Sequence, residues 1–217
     1  LGLQQQWHGG VAPLIVLFYI DSSSKPLWTD KFTKSGKVAS NGRVMPCLQA
    51  VLVHTGVGVP MYMETFSGRA GLLEHTESIL DNLERLIGAE VSRIVVIDAE
   101  ADSAPFLKRL QDNHRPWVTV LKGNILKGKE VKNRHGDWAY RDGDRLTEGV
   151  IDLSLGDDGI YQVRVVEVKH RGTGEVTTLG TCLPEDLYPA ERVAKFYHDR
   201  WPFQESNIRA LKQGVGL

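Results

Sequence analysis

Two aspartates each close an apolar, β-branched run: Asp21 in "LFYID" and Asp98 in "VVIDAE". Far downstream, "RWPFQESNIRALK" places Glu205, Arg209 and Lys212 four and three residues apart. At about 100° per helical residue, Arg209 lies about 40° from Glu205 and Lys212 about 20° on its other side, so the three share one stripe. Each feature has an ordinary explanation. An aspartate at a strand end opens a turn, and an acid four residues before an arginine supports a solvated helix face. Taken together they suit a particular chemistry. Two strand carboxylates and one helix carboxylate can hold two divalent cations about 3.5–4 Å apart, one activating a water or a 3′-hydroxyl and the other stabilising the leaving oxygen of a phosphodiester. Hard oxygen ligands favour Mg2+, with Mn2+ as its substitute. Arg209, Lys212 and the preceding Arg200 would then hold a DNA backbone by charge.

The elements that must position these residues are readable from local pattern. "PLIVLFYID" is a buried strand ending at Asp21, and "SSSKPLW" follows as a turn. "VMPCLQAVLVHT" and "VPMYMETF" are two further strands joined by "GVG" as a hairpin. "EHTESILDNLERLIG" is an amphipathic helix with Ile79, Leu80, Leu83 and Leu86 as its apolar stripe and Gly88 as its stop. "VSRIVVIDAEA" is a strand, "SAPFLKRLQDN" a helix with Ser103 as N-cap and Pro105 in its first turn, and "PWVTVLKGN" a strand. The order β-β-β-α-β-α-β implies a meander followed by β-α-β crossovers, hence a mixed sheet with helices packed on it. Strand carboxyl ends are where sites form in such sheets.

From 125 to 180 the texture changes to short alternating strands with "DG" and "TG" turns, a β-rich insertion. Helix resumes at Pro189, and Pro202 ends one helix near Asp199 and starts the next. Three segments follow: 1–124 as the first part of the core, 125–183 as the insertion, and 184–217 as the helices that complete the core. His54, His75 and Glu100 are further polar residues near the predicted site. Trp201 either stacks on a base or anchors its helix in the core.

Composition removes several classes. The 41% hydrophobic and 24% charged content is that of an ordinary globular domain. No apolar run approaches the ~18–20 residues of a membrane span. Cys47 and Cys182 are far apart with no C-x-x-C, so a disulfide framework or zinc site is not expected, and both read as core thiols in a reducing compartment. Net charge is −1, yet Lys108–Arg145 holds ten Lys/Arg against five Asp/Glu, either a solvated face or a local basic surface. The chain begins at Leu1 and ends at "GVGL" directly after a helix; both ends read as cuts in a longer protein.

"FYIDSSSKPLW", "IVVIDAEADSAPFLKRL" and "TCLPEDLYPAERVAKFYHDRWPFQESNIRALKQ" occur in that order, with the predicted elements between them. Together they resemble bacterial insertion-sequence transposases of the DDE class, in particular the group whose third motif is Tyr-(2)-Arg-(3)-Glu-(6)-Lys. The resemblance covers most of the chain. It implies an α/β, ribonuclease-H-like mixed sheet flanked by helices, with a β-rich insertion before the last catalytic helix. It implies Asp21, Asp98 and Glu205 as catalytic metal ligands for two Mg2+ ions, and Tyr197, Arg200 and Lys212 at the DNA. It further implies cleavage at element ends, joining of a 3′-hydroxyl to target DNA, and a dimer or larger synaptic complex. The setting would be cytoplasmic, at the bacterial nucleoid, with no membrane and no organic cofactor.

The chain departs from the pattern at one point. Four residues, not three, separate Arg200 from Glu205, and Gln204 holds the position that strict spacing would give the glutamate. The six-residue gap from Glu205 to Lys212 is intact, and only Glu205 can supply an anionic ligand, so Glu205 is the expected ligand and Gln204 the alternative. Two other activities stay open: a hydrolytic nuclease of ribonuclease-H type, and a domesticated relic that binds DNA without cutting it.

Overall fold

A computed structural model describes residues 4–5, 14–28, 34–38, 42–68, 72–88, 91–98 and 103–200. In chain order the elements are β1 (Gln4–Gln5), β2 (Leu14–Pro26), β3 (Ser35–Lys37), β4 (Val44–Thr55), β5 (Pro60–Ser67), α1 (Leu72–Ile87), β6 (Ser92–Ile97), α2 (Ala104–Asp112), β7 (Trp117–Val120), β8 (Lys132–Ala139), β9 (Arg145–Ser154), β10 (Ile160–Lys169), β11 (Val176–Thr181) and α3 (Ala190–His198). The described residues divide into two compact units, one within the first 92 residues and one spanning Arg93–Arg200.

The first unit is an antiparallel sheet with β4 at its centre. β4 pairs with β2 (Asp21↔Leu52), with β5 (Leu52↔Met63) and, at its start, with β3 (Gly36↔Met45). α1 packs on β5 and buries Ile79, Leu80 and Leu83, each of which contributes about 1.5–3 kcal/mol by leaving water. Leu86, expected on the same stripe, is exposed in the last turn. Gly88 ends the helix at φ 88°, the left-handed conformation that a side chain disfavours.

The second unit holds the crossover. β6 and β7 run parallel (Val96↔Val118), connected through α2, and β11 adds to β7 antiparallel (Gly180↔Thr119). β10, β9 and β8 follow in that order, each antiparallel to the last. This combination makes the sheet mixed, as expected. α3 lies across β7, β9, β10 and β11, burying Ala190, Val193, Ala194 and Phe196 at helical spacing. β8 is exposed along its whole length, and its lysine, arginine and register shifts suit a sheet edge that must not recruit another strand.

Several expectations need correction. "SSSKP" is not a turn: β2 continues through it, because β4 is long enough to offer backbone partners as far as Pro26↔Cys47. Asp21 therefore sits within a strand rather than at its end. Ser103 has the extended backbone of an N-cap but makes no side-chain capping bond, and β7 stops at Val120, short of "LKGN". Cys47 is a core thiol, whereas Cys182 is only half-buried; burial still pushes its thiol up to about 11, which leaves it unreactive at neutral pH.

Candidate active site

Asp98 follows the last residue of β6, a strand whose Ile94, Val95, Val96 and Ile97 are all buried. The apolar run carries the backbone through the core and releases the first polar side chain at the carboxyl end of a parallel strand. The neighbouring strand secures that end: Thr119, the register partner of Ile97, donates its hydroxyl to the Asp98 carbonyl at 3.4 Å.

Arg200 reaches the same place from beyond α3. Its Nη1 lies 3.1 Å from Asp98 Oδ1, with the arginine side chain 7% exposed and the aspartate 35%. The pair is within ion-pair range but not aligned as a hydrogen bond, and neither Nη1 nor Nε of Arg200 has a hydrogen-bond partner among the described residues. Buried donors without acceptors are costly, so the guanidinium carries capacity for a further anion. Tyr197 supports it from below, its ring 4.8 Å from the Arg200 guanidinium carbon.

The end of α3 is tied to the turn between β8 and β9. Arg141 Nη2 donates to Asp199 Oδ1 at 2.6 Å and Lys195 Nζ to Asp199 Oδ2 at 2.5 Å. The Tyr140 hydroxyl donates to His198 Nδ1 at 3.2 Å while the two rings stack. Burial, then Arg141 and His170, hold His198 below the usual imidazole range, so it is a neutral acceptor at pH 7. Burial raises Asp199, but Lys195 and Arg141 together outweigh it and keep the carboxyl below its ordinary value.

Both shifts destabilise the fold in acid. A depressed imidazole means the unfolded chain takes a proton first, so stability falls as pH drops below about 6.5. The depressed Asp199 carboxyl adds a second loss below about pH 4. Melting temperatures between pH 7 and 3 should show both steps, and Asp199→Asn should reduce the lower one.

The structure thus brings Asp98, Tyr197 and Arg200 of the predicted set together. Asp21 belongs to the other unit, half-buried in β2 opposite Leu52. His54 is fully buried in β4, its Nδ1 donating to the Thr55 carbonyl at 3.1 Å and its ring tilted against Tyr19, the setting of a core histidine. His75 stacks on Phe66. Glu100, Trp201, Pro202, Gln204, Glu205, Arg209 and Lys212 lie outside the described residues.

Sequence reasoning gave no role to a second titratable group, His135, Glu148 and Glu185, whose ligand-type atoms all lie within 4.8 Å of one another. These residues come from β8, β9 and the segment before α3. Their separation in sequence exceeds any local spacing rule, so no local signal singled them out.

The element order and the mixed sheet are those of an α/β chain with an acid at the end of a parallel strand. The chain belongs to the transposase DDE domain family, whose model matches residues 16–216. No curated protein matches the chain in sequence. Among solved structures it is similar to piggyBac transposase in a synaptic complex with hairpin DNA, at 12% identity and a TM-score of 0.47. That likeness covers 90% of this chain and 40% of the other, so the chain spans well under half of that protein's length. Among the described residues, no helix is long and apolar enough to cross a membrane.

Proposed function

We propose that this chain is the catalytic domain of a DNA transposase that cleaves strands at element ends and joins the 3′-hydroxyl to target DNA. The reading rests above all on Asp98, an acid at the end of a buried parallel strand in a DDE family member, faced by a buried arginine with unspent donors. The donor set suits a hard cation, since the expected ligands are all carboxylates and Asp98 keeps about a third of its side chain open to solvent beside a positive group. Asp21, Asp98 and Glu205 would hold two Mg2+ ions, replaceable by Mn2+, which when bound polarise the phosphoryl oxygen and activate the attacking hydroxyl.

The chain's own groups do the rest. Arg200 offers Nε and Nη1 to a phosphate oxygen and Tyr197 keeps the guanidinium in place. Arg209 and Lys212, four and seven residues after Glu205 in sequence, would bind the DNA backbone by charge. Residues 125–183 form the β-rich insertion between the core segments 1–124 and 184–217. The complete protein would act as a dimer or larger synaptic complex on DNA, at the bacterial nucleoid.

The third ligand supplies the test. With supercoiled plasmid and Mg2+, Glu205→Gln is expected to lose nicking by on the order of 10²-fold or more, whereas Gln204→Ala keeps it. The reverse pattern makes residue 204 the motif position and leaves the site without a third carboxylate. Nicking without joining of a labelled 3′-end to target would identify a hydrolytic nuclease. DNA binding with neither reaction would identify a relic.

A further inference from the structure

The candidates besides the Asp98 site are an Asp144–His170–Thr177 chain, the Cys182 pocket and the cluster around Glu148. The first is a closed set of hydrogen bonds linking the β8–β9 connection to the β10–β11 hairpin, with Asp144 also fastened to the Arg171 backbone amide. The second is lined around a thiol that burial holds in its neutral form. The third is built differently.

Glu148 is 1% exposed, and its two oxygens have different surroundings. Oε1 accepts from Arg164 Nη2, which is fastened in turn by an Nη1 bond of 3.0 Å to the Leu183 carbonyl. Oε2 is buried and has no hydrogen-bond partner among the described residues. It faces His135 Nε2 at 3.7 Å, and the same nitrogen lies 3.2 Å from Glu185 Oε1. Glu148 and Glu185 line a cavity of about 260 Å³, with Trp138 on its wall.

His135 is oriented as a ligand would be. Its Nδ1 donates to the Asn133 carbonyl at 3.1 Å, which fixes the ring, and its Nε2 donates to Glu185 Oε1 at 3.2 Å, so a metal ion would take the place of the Nε2 proton. The ring meets Trp138 edge-on at 6.0 Å. Trp138 can lie there because Gly136 has no side chain: a Cβ at that position would collide with the indole. Gly149 has the same role on the facing strand, where a Cβ would come within 2.7 Å of the Lys132 carbonyl.

We propose that His135, Glu148 and Glu185 form a binding site for one divalent transition-metal ion of the zinc class, separate from the catalytic carboxylates. Ligands about 2.0–2.1 Å from a tetrahedral ion stand about 3.3 Å apart; the two His135 separations, 3.2 and 3.7 Å, lie near that value, and all three ligand atoms are within 4.8 Å of one another. One imidazole and two carboxylates suit Zn2+, Co2+ or Ni2+ better than Mg2+, and water in the cavity completes the shell. Arg164 fixes the Glu148 carboxylate as a partner outside the ligand set. The ion would cross-link β8 and β9 to the segment that leads into α3, the helix that carries Tyr197. Its role would be structural.

Co2+ titration of the chain, followed by visible absorption, tests the site. The background is Asp98→Asn, which weakens metal binding at the catalytic carboxylates. One equivalent of Co2+ is expected to bind there, to be displaced by Zn2+ but not by millimolar Mg2+, and to raise the melting temperature. His135→Ala and Glu185→Gln, both on the exposed side of the cluster, should each weaken binding at least about tenfold while circular dichroism stays unchanged. Absence of saturable Co2+ binding in the Asp98→Asn protein overturns the proposal and leaves a protonated His135 bridging two acids. Co2+ affinity left unchanged by both ligand substitutions overturns it as well.

Discussion

Asp98→Asn should reduce Mg2+-dependent plasmid nicking by on the order of 10³-fold, with DNA binding and the fold retained. Asparagine keeps the size of the side chain and one acceptor, but loses the charge that a hard cation needs. The structural cost should stay near 1 kcal/mol, because the Asp98 side chain is about a third exposed and solvent screens its pairing with Arg200. Loss of activity without loss of melting temperature would therefore report chemistry. Asp21→Asn should match it, since the proposed two-ion site needs both strand carboxylates. A wild-type rate from Asp21→Ala or Asp98→Asn would remove the catalytic assignment for that residue.

The largest stability effect is expected from Arg164→Met. Arg164 and Glu148 form an ion pair on adjacent strands, with side chains 12% and 1% exposed. Removing the arginine strands a carboxylate with little access to water, a change that costs about 3–5 kcal/mol at neutral pH. Burial already raises the Glu148 carboxyl, although Arg164 pulls it down. Without the arginine it would rise further. The deficit should therefore shrink as pH is lowered and Glu148 is neutralised. Urea midpoints at pH 7 and pH 5 measure this directly. Glu148→Leu in the same chain should recover much of the loss, because an apolar pair of similar volume avoids the desolvation of both charges. A single variant as stable as wild type would mean that water reaches Glu148.

Elements with a local cause were legible. The helical stripe of Ile79, Leu80 and Leu83 and the stop at Gly88 need only neighbours three or four residues away. The apolar run before Asp98 predicted both the strand and the acid at its end. Tyr197 was marked by the family resemblance rather than by a local rule, and its ring meets the Arg200 guanidinium. The course of the chain after Asp21 was misread for the opposite reason. Three serines and a proline look like a turn until β4 pairs with them, and that partner lies 20 to 30 residues away.

Sequence alone therefore determined the element order and the α/β class, because these follow from periodicity within one segment. Only tertiary structure decided which charges are buried and what faces them. Arg200 meets Asp98 across a hundred residues of chain, and Glu148 meets Arg164, His135 and Glu185 from separate strands and a loop. Burial and charge pairing arise where distant segments converge, so no local spacing encodes them. They decide which carboxylates are held as structural partners and which remain available for a cation.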